Sequence, residues 1–400
     1  MSISELLMNT QTIMPLAVLM LWTCGLLLVD LFIPRQRKGI TALLAVAGLV
    51  VALALVISQF GQEGVAFSRM VVLDGFALFL QVVFLVSGLA GIALAYDYNK
   101  RMGIERGEYY ILMLLSIGGM MMMAMAANLI MVFLALEWLS IALYVLSGFA
   151  RDKAESEESA LKYFLLGSYS GGFVLYGIAL IFGATGSTEL SSIATAFYSA
   201  NTNLALLAIG AALVLVGVGF KVSLVPFHMW TPDVYHGAPS AVTGFMSVAV
   251  KAAGFAGLLR IFIVAFQTVE AEIAPLLWAL AAVTMILGNL VAIAQGNIKR
   301  MLAYSSIAHA GYILMALVSY AQPEVTADAV AAALVYLVAY AFTSFGAWAV
   351  VVALEKAEGQ GLQLQDYAGL GRKYPALAAA MAIFMLSFTG VPPTLGFIGK

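Results

Sequence analysis

The chain of 400 residues is 63% hydrophobic and only 10% charged, against roughly 25% charged residues in soluble domains, so it reads as an all-α polytopic membrane protein. A net charge of −2 leaves no basic stripe to neutralise phosphates, which excludes nucleic acid as a partner and leaves the lipid bilayer. One cysteine, Cys24, excludes a disulfide within the chain and a CxxC metal or redox site, and three histidines without ligand spacing argue against a metal centre.

Apolar runs of about 20 residues, the length that crosses a hydrocarbon core, are predicted near 12–33, 39–58, 76–96, 109–126, 128–149, 160–183, 204–225, 239–265, 274–294, 301–320, 328–354 and 375–400. The first run has no Lys or Arg before Arg35, so it lacks the basic flank of a signal peptide and reads as a retained helix. The first three runs carry no buried charge and read as scaffold or partner surface. Only the Ala127 and Asn128 region separates the fourth and fifth, which predicts a tight helical hairpin. The segment from Arg151 to Ala160 reads as a solvated turn with capping serines, and the methionine run at Met120 as packing or lipid contact.

Cations set the orientation. Thirteen of the nineteen basic residues fall in alternate loops: Arg35, Arg37, Lys38, Lys100, Arg101, Arg106, Arg151, Lys153, Lys299, Arg300, Lys356, Arg372 and Lys373. These loops are expected on the cytoplasmic side of a bacterial plasma membrane, with the N-terminus facing outward.

Several ionisable residues fall inside the runs. An ionisable group at membrane depth costs roughly 2.5–3.5 kcal/mol on insertion scales, so its default reading is functional. Glu137 stands about nine residues into the fifth run, roughly 14 Å deep by the helical rise. Lys221 and Lys251 lie within the seventh and eighth runs, and between them Pro226, Pro232 and Pro239 break the helix. His228, Asp233 and His236 flank that break, where half-helix capping explains them nearly as well as proton uptake. Lys162, near the start of the sixth run, can snorkel to the surface. His309 falls within the tenth run. A second break at Gly390, Pro392 and Pro393 interrupts the twelfth run, which then delivers Lys400. Paired broken helices are a sequence pointer to a transport site, and an offset of five runs makes any repeat relating them inverted.

The segments LALEWLSIALYVLSGF, FKVSLVPFHMWTPDVYHGAPSAVTGFMSVAVK, GNIKRMLAYSSIAHAGY and FTGVPPTLGFIGK, in that order, resemble the antiporter-like proton-channel subunits of respiratory complex I, and the wording around SLVPFHMWTPDVYHGAPS is most similar to the N-type branch. The resemblance implies an antiporter-like helix bundle with inverted five-helix repeats and discontinuous seventh and twelfth helices. Residues 1–107 would be scaffold, 108–270 the first repeat and 271–400 the second, which in the family continues beyond Lys400. It implies a proton-translocating membrane-arm subunit of a NADH:quinone oxidoreductase in which Glu137 and Lys221 form a switchable pair, Lys251 and His309 a central relay, and Lys400 the outward carrier. Lys162, His228, Asp233 and His236 are secondary candidates. No cofactor is expected in this chain; quinone, NADH, FMN and iron-sulfur clusters are expected in partner subunits, beside further antiporter-like subunits. A subunit of a multisubunit sodium/proton antiporter and a non-conducting membrane scaffold are the alternatives.

Overall fold

The computed structural model describes residues 3–199, 202–267, 270–319, 325–357 and 359–400. In chain order the helices are α1 (Ile3–Asp30), α2 (Gly39–Ser58), α3 (Gly75–Arg101), α4 (Gly107–Met125), α5 (Leu129–Ser147), α6 (Ala154–Thr185), α7 (Leu190–Ala196), α8 (Leu204–Val222), α9 (Trp230–Gly237), α10 (Ser240–Phe245), α11 (Lys251–Ala265), α12 (Glu270–Ile293), α13 (Ile298–Ser319), α14 (Thr326–Leu354), α15 (Leu370–Lys373), α16 (Pro375–Thr389) and α17 (Leu395–Gly399). A short antiparallel hairpin, β1 (Gly64–Ala66) with β2 (Val71–Leu73), links α2 to α3.

Among the described residues, eleven helical spans are long and apolar enough to cross a membrane. They match the predicted runs except at the end. The twelfth run yields only the 15 residues of α16 before the chain breaks and resumes as α17. The sixth starts earlier than expected, because the acidic segment after Arg151 is the first turns of α6. Its serines tie that end down, Ser156 Oγ donating to the Ser147 carbonyl (2.9 Å) and Ser159 Oγ to that of Val234 (3.1 Å).

The composite span α10–α11 is the central post. Its most apolar window is 89% buried within the chain, against 22% for α12, so α12 turns its face outward while α10–α11 is enclosed on all sides. A π-helical turn, Met246–Val250, joins its two parts immediately before Lys251. Such wide turns locally re-aim side chains.

Two sets of hydrogen bonds recur five spans apart, at opposite ends of the bundle. At one end Asn128 Oδ1 caps α5 through the Ile130 N–H (2.9 Å), while Leu129 N–H reaches the Thr188 carbonyl and Leu190 N–H that of Ala127. At the other, Asn297 Oδ1 caps α13 through the Lys299 N–H (2.9 Å), while Ile298 N–H reaches the Leu362 carbonyl and Leu364 N–H that of Gly296. The helix breaks match too. At the end of α8, Ser223 adopts a left-handed φ of 65°, its N–H bonds the Phe220 carbonyl, and the Leu224 N–H bonds that of Gly219. At the end of α16, Gly390 has φ 81°, its N–H bonds the Ser387 carbonyl, and the Val391 N–H bonds that of Leu386. Both are Schellman caps. The helices therefore end by capping, and Pro226, Pro392 and Pro393 fall in the turns that follow, while Pro232 lies in the first turn of α9 and Pro239 precedes α10.

The first three spans do hold charge, contrary to the sequence reading. Asp30 is buried at the end of α1, where Lys38 Nζ (2.7 Å) and Thr41 Oγ1 (2.5 Å) satisfy it. Asp74 caps α3 through the Ala77 N–H (2.8 Å) and also receives the Arg260 guanidinium at both carboxylate oxygens.

Candidate functional site

Lys221 sits one residue inside the capped end of α8, where it is buried with 2% exposure. Its ammonium donates to Ser140 Oγ on α5 (2.7 Å) and to the Tyr163 hydroxyl on α6 (2.9 Å), and it lies 5.0 Å from the centre of the Tyr163 ring. The break builds this pocket. Trp230, the first residue of α9, folds back so that its indole N–H bonds the Phe220 carbonyl (2.8 Å), and it stacks on Tyr163 with ring centres 4.6 Å apart. Thr231 Oγ1 donates to Ser223 Oγ (2.7 Å) and fixes the turn. Polar groups freed by the break are thus satisfied within the protein, the condition for non-helical backbone at membrane depth.

Glu137 lies on α5 one turn before Ser140. It does not touch Lys221 directly: one carboxylate oxygen is buried without a hydrogen-bond partner, and no ion pair joins the two residues. Its room comes from α6, where a Cβ at Gly171 would collide with the Glu137 Oε1. Gly171 therefore accommodates the acid.

Lys251 follows the π turn at 1% exposure, and its ammonium donates to both the carbonyl (2.5 Å) and the hydroxyl of Ser306 on α13. His309 stands one turn further along α13. Its Nδ1 pairs with the Tyr336 hydroxyl (2.6 Å), and its ring lies among Tyr312, Tyr336, Tyr340 and Phe388. A cavity of about 10 Å³ beside it, reaching Thr343 and Ser387, is near the minimum that holds one water. Lys400 folds back into the second break. Its ammonium donates to the Phe388 carbonyl (2.7 Å) and lies 4.6 Å from the centre of the Tyr312 ring. On α13, Ser306 holds Lys251 of α11, and one turn on His309 packs on Tyr312 and Phe388, the residues that also meet Lys400.

The secondary candidates gather on the cation-rich face. Lys162 Nζ bridges Glu158 (2.6 Å) and Asp233 (2.7 Å), and Arg300 takes the other oxygen of Asp233 (2.8 Å). Burial alone would raise the Asp233 carboxyl, but the bonds from Lys162 and Arg300 hold it below the usual carboxylate range. His228 and His236 are half-buried, and burial lowers both imidazoles. Positive charge from Lys299 lowers His236 further, while Pro226 opposes the shift at His228.

Sequence reading missed Ser140, Tyr163, Ser306 and Tyr336, because hydroxyls in apolar runs carry no local signal. It also left Lys299 in a solvated loop. Lys299 is 2% exposed and donates to the Ala238 carbonyl (2.6 Å).

A pattern follows from these contacts. Among the described residues, Lys221, Lys251, Lys299 and Lys400 donate only to neutral oxygens, whereas Lys38, Arg69, Lys162, Arg260 and Arg300 form ion pairs. Of these lysines Lys221, Lys251 and Lys299 are buried, and the fold that encloses them is a polytopic helix bundle.

Comparison with known proteins places it. A family model described as "NADH:quinone oxidoreductase/Mrp antiporter, TM" matches residues 126–400. The chain is 46% identical over 396 residues to NADH-quinone oxidoreductase subunit N of Trichlorobacter lovleyi, covering 98% of this chain and 80% of that one. It is 47% identical to the protein of the same name from Chloroflexus aggregans, with the same coverage. Among solved structures, respiratory complex I from Thermus thermophilus matches with a TM-score of 0.80 at 36% identity, covering 96% of this chain and 80% of that chain. The Mrp complex of a Dietzia species matches with a TM-score of 0.83 at 21% identity over 98% of this chain and 73% of that one, a likeness of fold. The chain belongs to the NADH:quinone oxidoreductase/Mrp antiporter family of membrane subunits.

Proposed function

We propose that this chain is a proton-translocating membrane-arm subunit of a NADH:quinone oxidoreductase, the complex as a whole being the enzyme. The observation that carries the reading is that three buried lysines, Lys221, Lys251 and Lys299, are bonded only to neutral oxygens. An ammonium held by hydroxyls and carbonyls, with no carboxylate at ion-pair distance, can release its proton without leaving a buried carboxylate uncompensated. Lys221 takes its proton beside Ser140 and Tyr163, with Glu137 as the movable counter-charge. A charge change arriving from a neighbouring subunit draws Glu137 away, and the proton passes to Lys251, by way of Ser306 and His309, to Lys400. The cation-rich face is cytoplasmic on this reading, and the redox groups reside in partner subunits. Moving one charge against 100 mV requires about 2.3 kcal/mol, so the drive comes from redox chemistry elsewhere in the assembly.

The test is proton pumping by the intact complex in proteoliposomes, scored beside quinone reduction, for wild type and Lys251→Ala. The expected outcome is loss of pumping. Full pumping and full quinone reduction in an assembled Lys251→Ala complex would favour a non-conducting scaffold. Transport that required sodium and proceeded without quinone reduction would favour the antiporter reading.

A further inference from the structure

A polar cavity of about 230 Å³ opens toward the cation-rich face. Tyr98 from α3, Lys153 and Glu155 from the start of α6, His236 from α9, Lys299 from α13 and Glu355 at the end of α14 wall it. Glu355 is 3% exposed. One of its oxygens accepts the Tyr98 hydroxyl (3.2 Å), and the other has no partner in the protein. His236 Nδ1 is likewise buried and unpartnered. A cavity of this size with two unsatisfied polar groups in its wall has the volume and the partners to hold ordered water. Lys299 supplies the positive charge that a buried carboxylate needs from its surroundings.

This cavity and the site of Lys251 are walled by the same helix, α13. Lys299 and Ser306 are seven residues apart on α13, two turns and about 10.5 Å along the axis, so they share one face. Ser306 holds the Lys251 ammonium with both its carbonyl and its hydroxyl, and the Tyr235 and Tyr340 hydroxyls converge on the same serine. Beside them, Ser247 Oγ and Ser344 Oγ pair at 2.9 Å, one turn before Lys251 on its own helix. The backbone between cavity and relay is held from both sides, since Tyr98 accepts the Ser240 N–H (3.1 Å) while Lys299 takes the Ala238 carbonyl.

We propose that this cavity is a proton-loading site serving Lys251 directly, in which Glu355 accepts a proton from cavity water and Ser306 delivers it to the Lys251 amine. Hydronium gives up the proton and becomes water. Glu355 becomes the neutral acid, then passes the proton through water to the hydroxyls gathered at Ser306, each of which accepts one proton and releases its own. Lys251 ends as the ammonium and Glu355 is restored as carboxylate. The site gives Lys251 a supply that does not run through Lys221. The assignment rests on Lys251 being a proton carrier.

The test uses the intact complex in proteoliposomes. Glu355→Gln is expected to slow proton pumping by about a hundredfold or more, the scale of losing a positioned acid or base, and Glu355→Asp is expected to restore most of it. Wild-type pumping in Glu355→Gln, with pumping abolished in Lys251→Ala, would overturn the loading site and leave the proton-carrier reading standing; normal pumping in Lys251→Ala would remove that reading itself. A second arm covers a Glu355→Gln complex that does not assemble. Ala150→Cys, placed in the cavity wall in a Cys24→Ser background, is expected to react with a charged methanethiosulfonate added to the cation-rich face. A thiol that stays unlabelled there would show the cavity closed to water and overturn the proposal.

Discussion

The two helix breaks share one backbone design and use it oppositely. Each closes with a Schellman cap, at Ser223 and at Gly390, and each carries a proline three residues later, Pro226 and Pro393. Superposing the prolines sets Asp233 against Lys400 and Lys221 against Phe388. In the first break the lysine precedes the cap and is wrapped by Ser140, Tyr163 and Trp230. In the second it follows the cap and reaches back to a carbonyl that the break set free. A capped break therefore supplies a satisfied bend in the backbone, and the position of one lysine relative to the cap decides which end of the bend carries charge.

The largest expected effect tests whether the halves are held equally. In the first, α6 and α8 meet backbone to backbone: a Cβ at Gly177 would lie 2.7 Å from the Gly210 carbonyl and 2.9 Å from the Val214 nitrogen. Neither can give way. In the second, a Cβ at Gly346 first meets the tip of the Phe384 ring, a side chain that can rotate. Gly177→Ala should cost about 1–3 kcal/mol or more as overpacking, whereas Gly346→Ala should cost less than about 1 kcal/mol. Thermal unfolding of the purified complex, followed by loss of this subunit, separates them. Equal losses would show that the α14–α16 contact is as rigid as α6–α8.

A smaller effect tests the lysine pockets. Lys221 has two side-chain partners, while Lys251 has one serine acting twice. Hydrogen bonds to charged groups contribute about 1.5–3 kcal/mol each, so Ser306→Ala should leave Lys251 its carbonyl partner and slow pumping by roughly tenfold. Ser140→Ala and Tyr163→Phe should each be milder alone and more than additive together, because only the double variant leaves the ammonium with neither hydroxyl. Strict additivity would mean that another group, Glu137 being the obvious one, moves in to replace them.

These partners mark the limit of what the sequence disclosed. Spans, breaks and buried lysines were legible because charge and proline stand out against an apolar background. Ser140 and Ser306 did not stand out, since a serine in a transmembrane helix usually bonds its own preceding turn. Lys299 was misplaced for a related reason: it begins α13 beside Arg300, and a basic pair at a helix start reads as loop. Only the fold shows that Arg300 turns outward to Asp233 while Lys299 turns inward to Ala238. The missing direct contact between Glu137 and Lys221 was equally hidden, because depth in two helices fixes their level but not the rotation of either side chain.

The smallest expected effect lies at the surface end of the first break, which in the second is occupied by Lys400. Asp233 is about one-third exposed and joins Lys162 to Arg300, so Asp233→Asn should cost no more than about 1 kcal/mol. Its pH dependence has a definite sign. The carboxyl is held below its ordinary value by the two cations, so the folded form binds its proton less readily than the unfolded form. The contribution is therefore complete at neutral pH and is lost as pH falls below the ordinary carboxylate value of about 3.9. Salt should weaken it, since pairs this exposed are screened. Buried Lys221, behind Tyr163 and Trp230, should not respond to salt. If 0.5 M salt, roughly a 4 Å screening length, lowered pumping as much as Asp233→Asn does, the clamp would be acting on the proton path. A stability change without a pumping change would confine Asp233 to holding α6, α9 and α13 together.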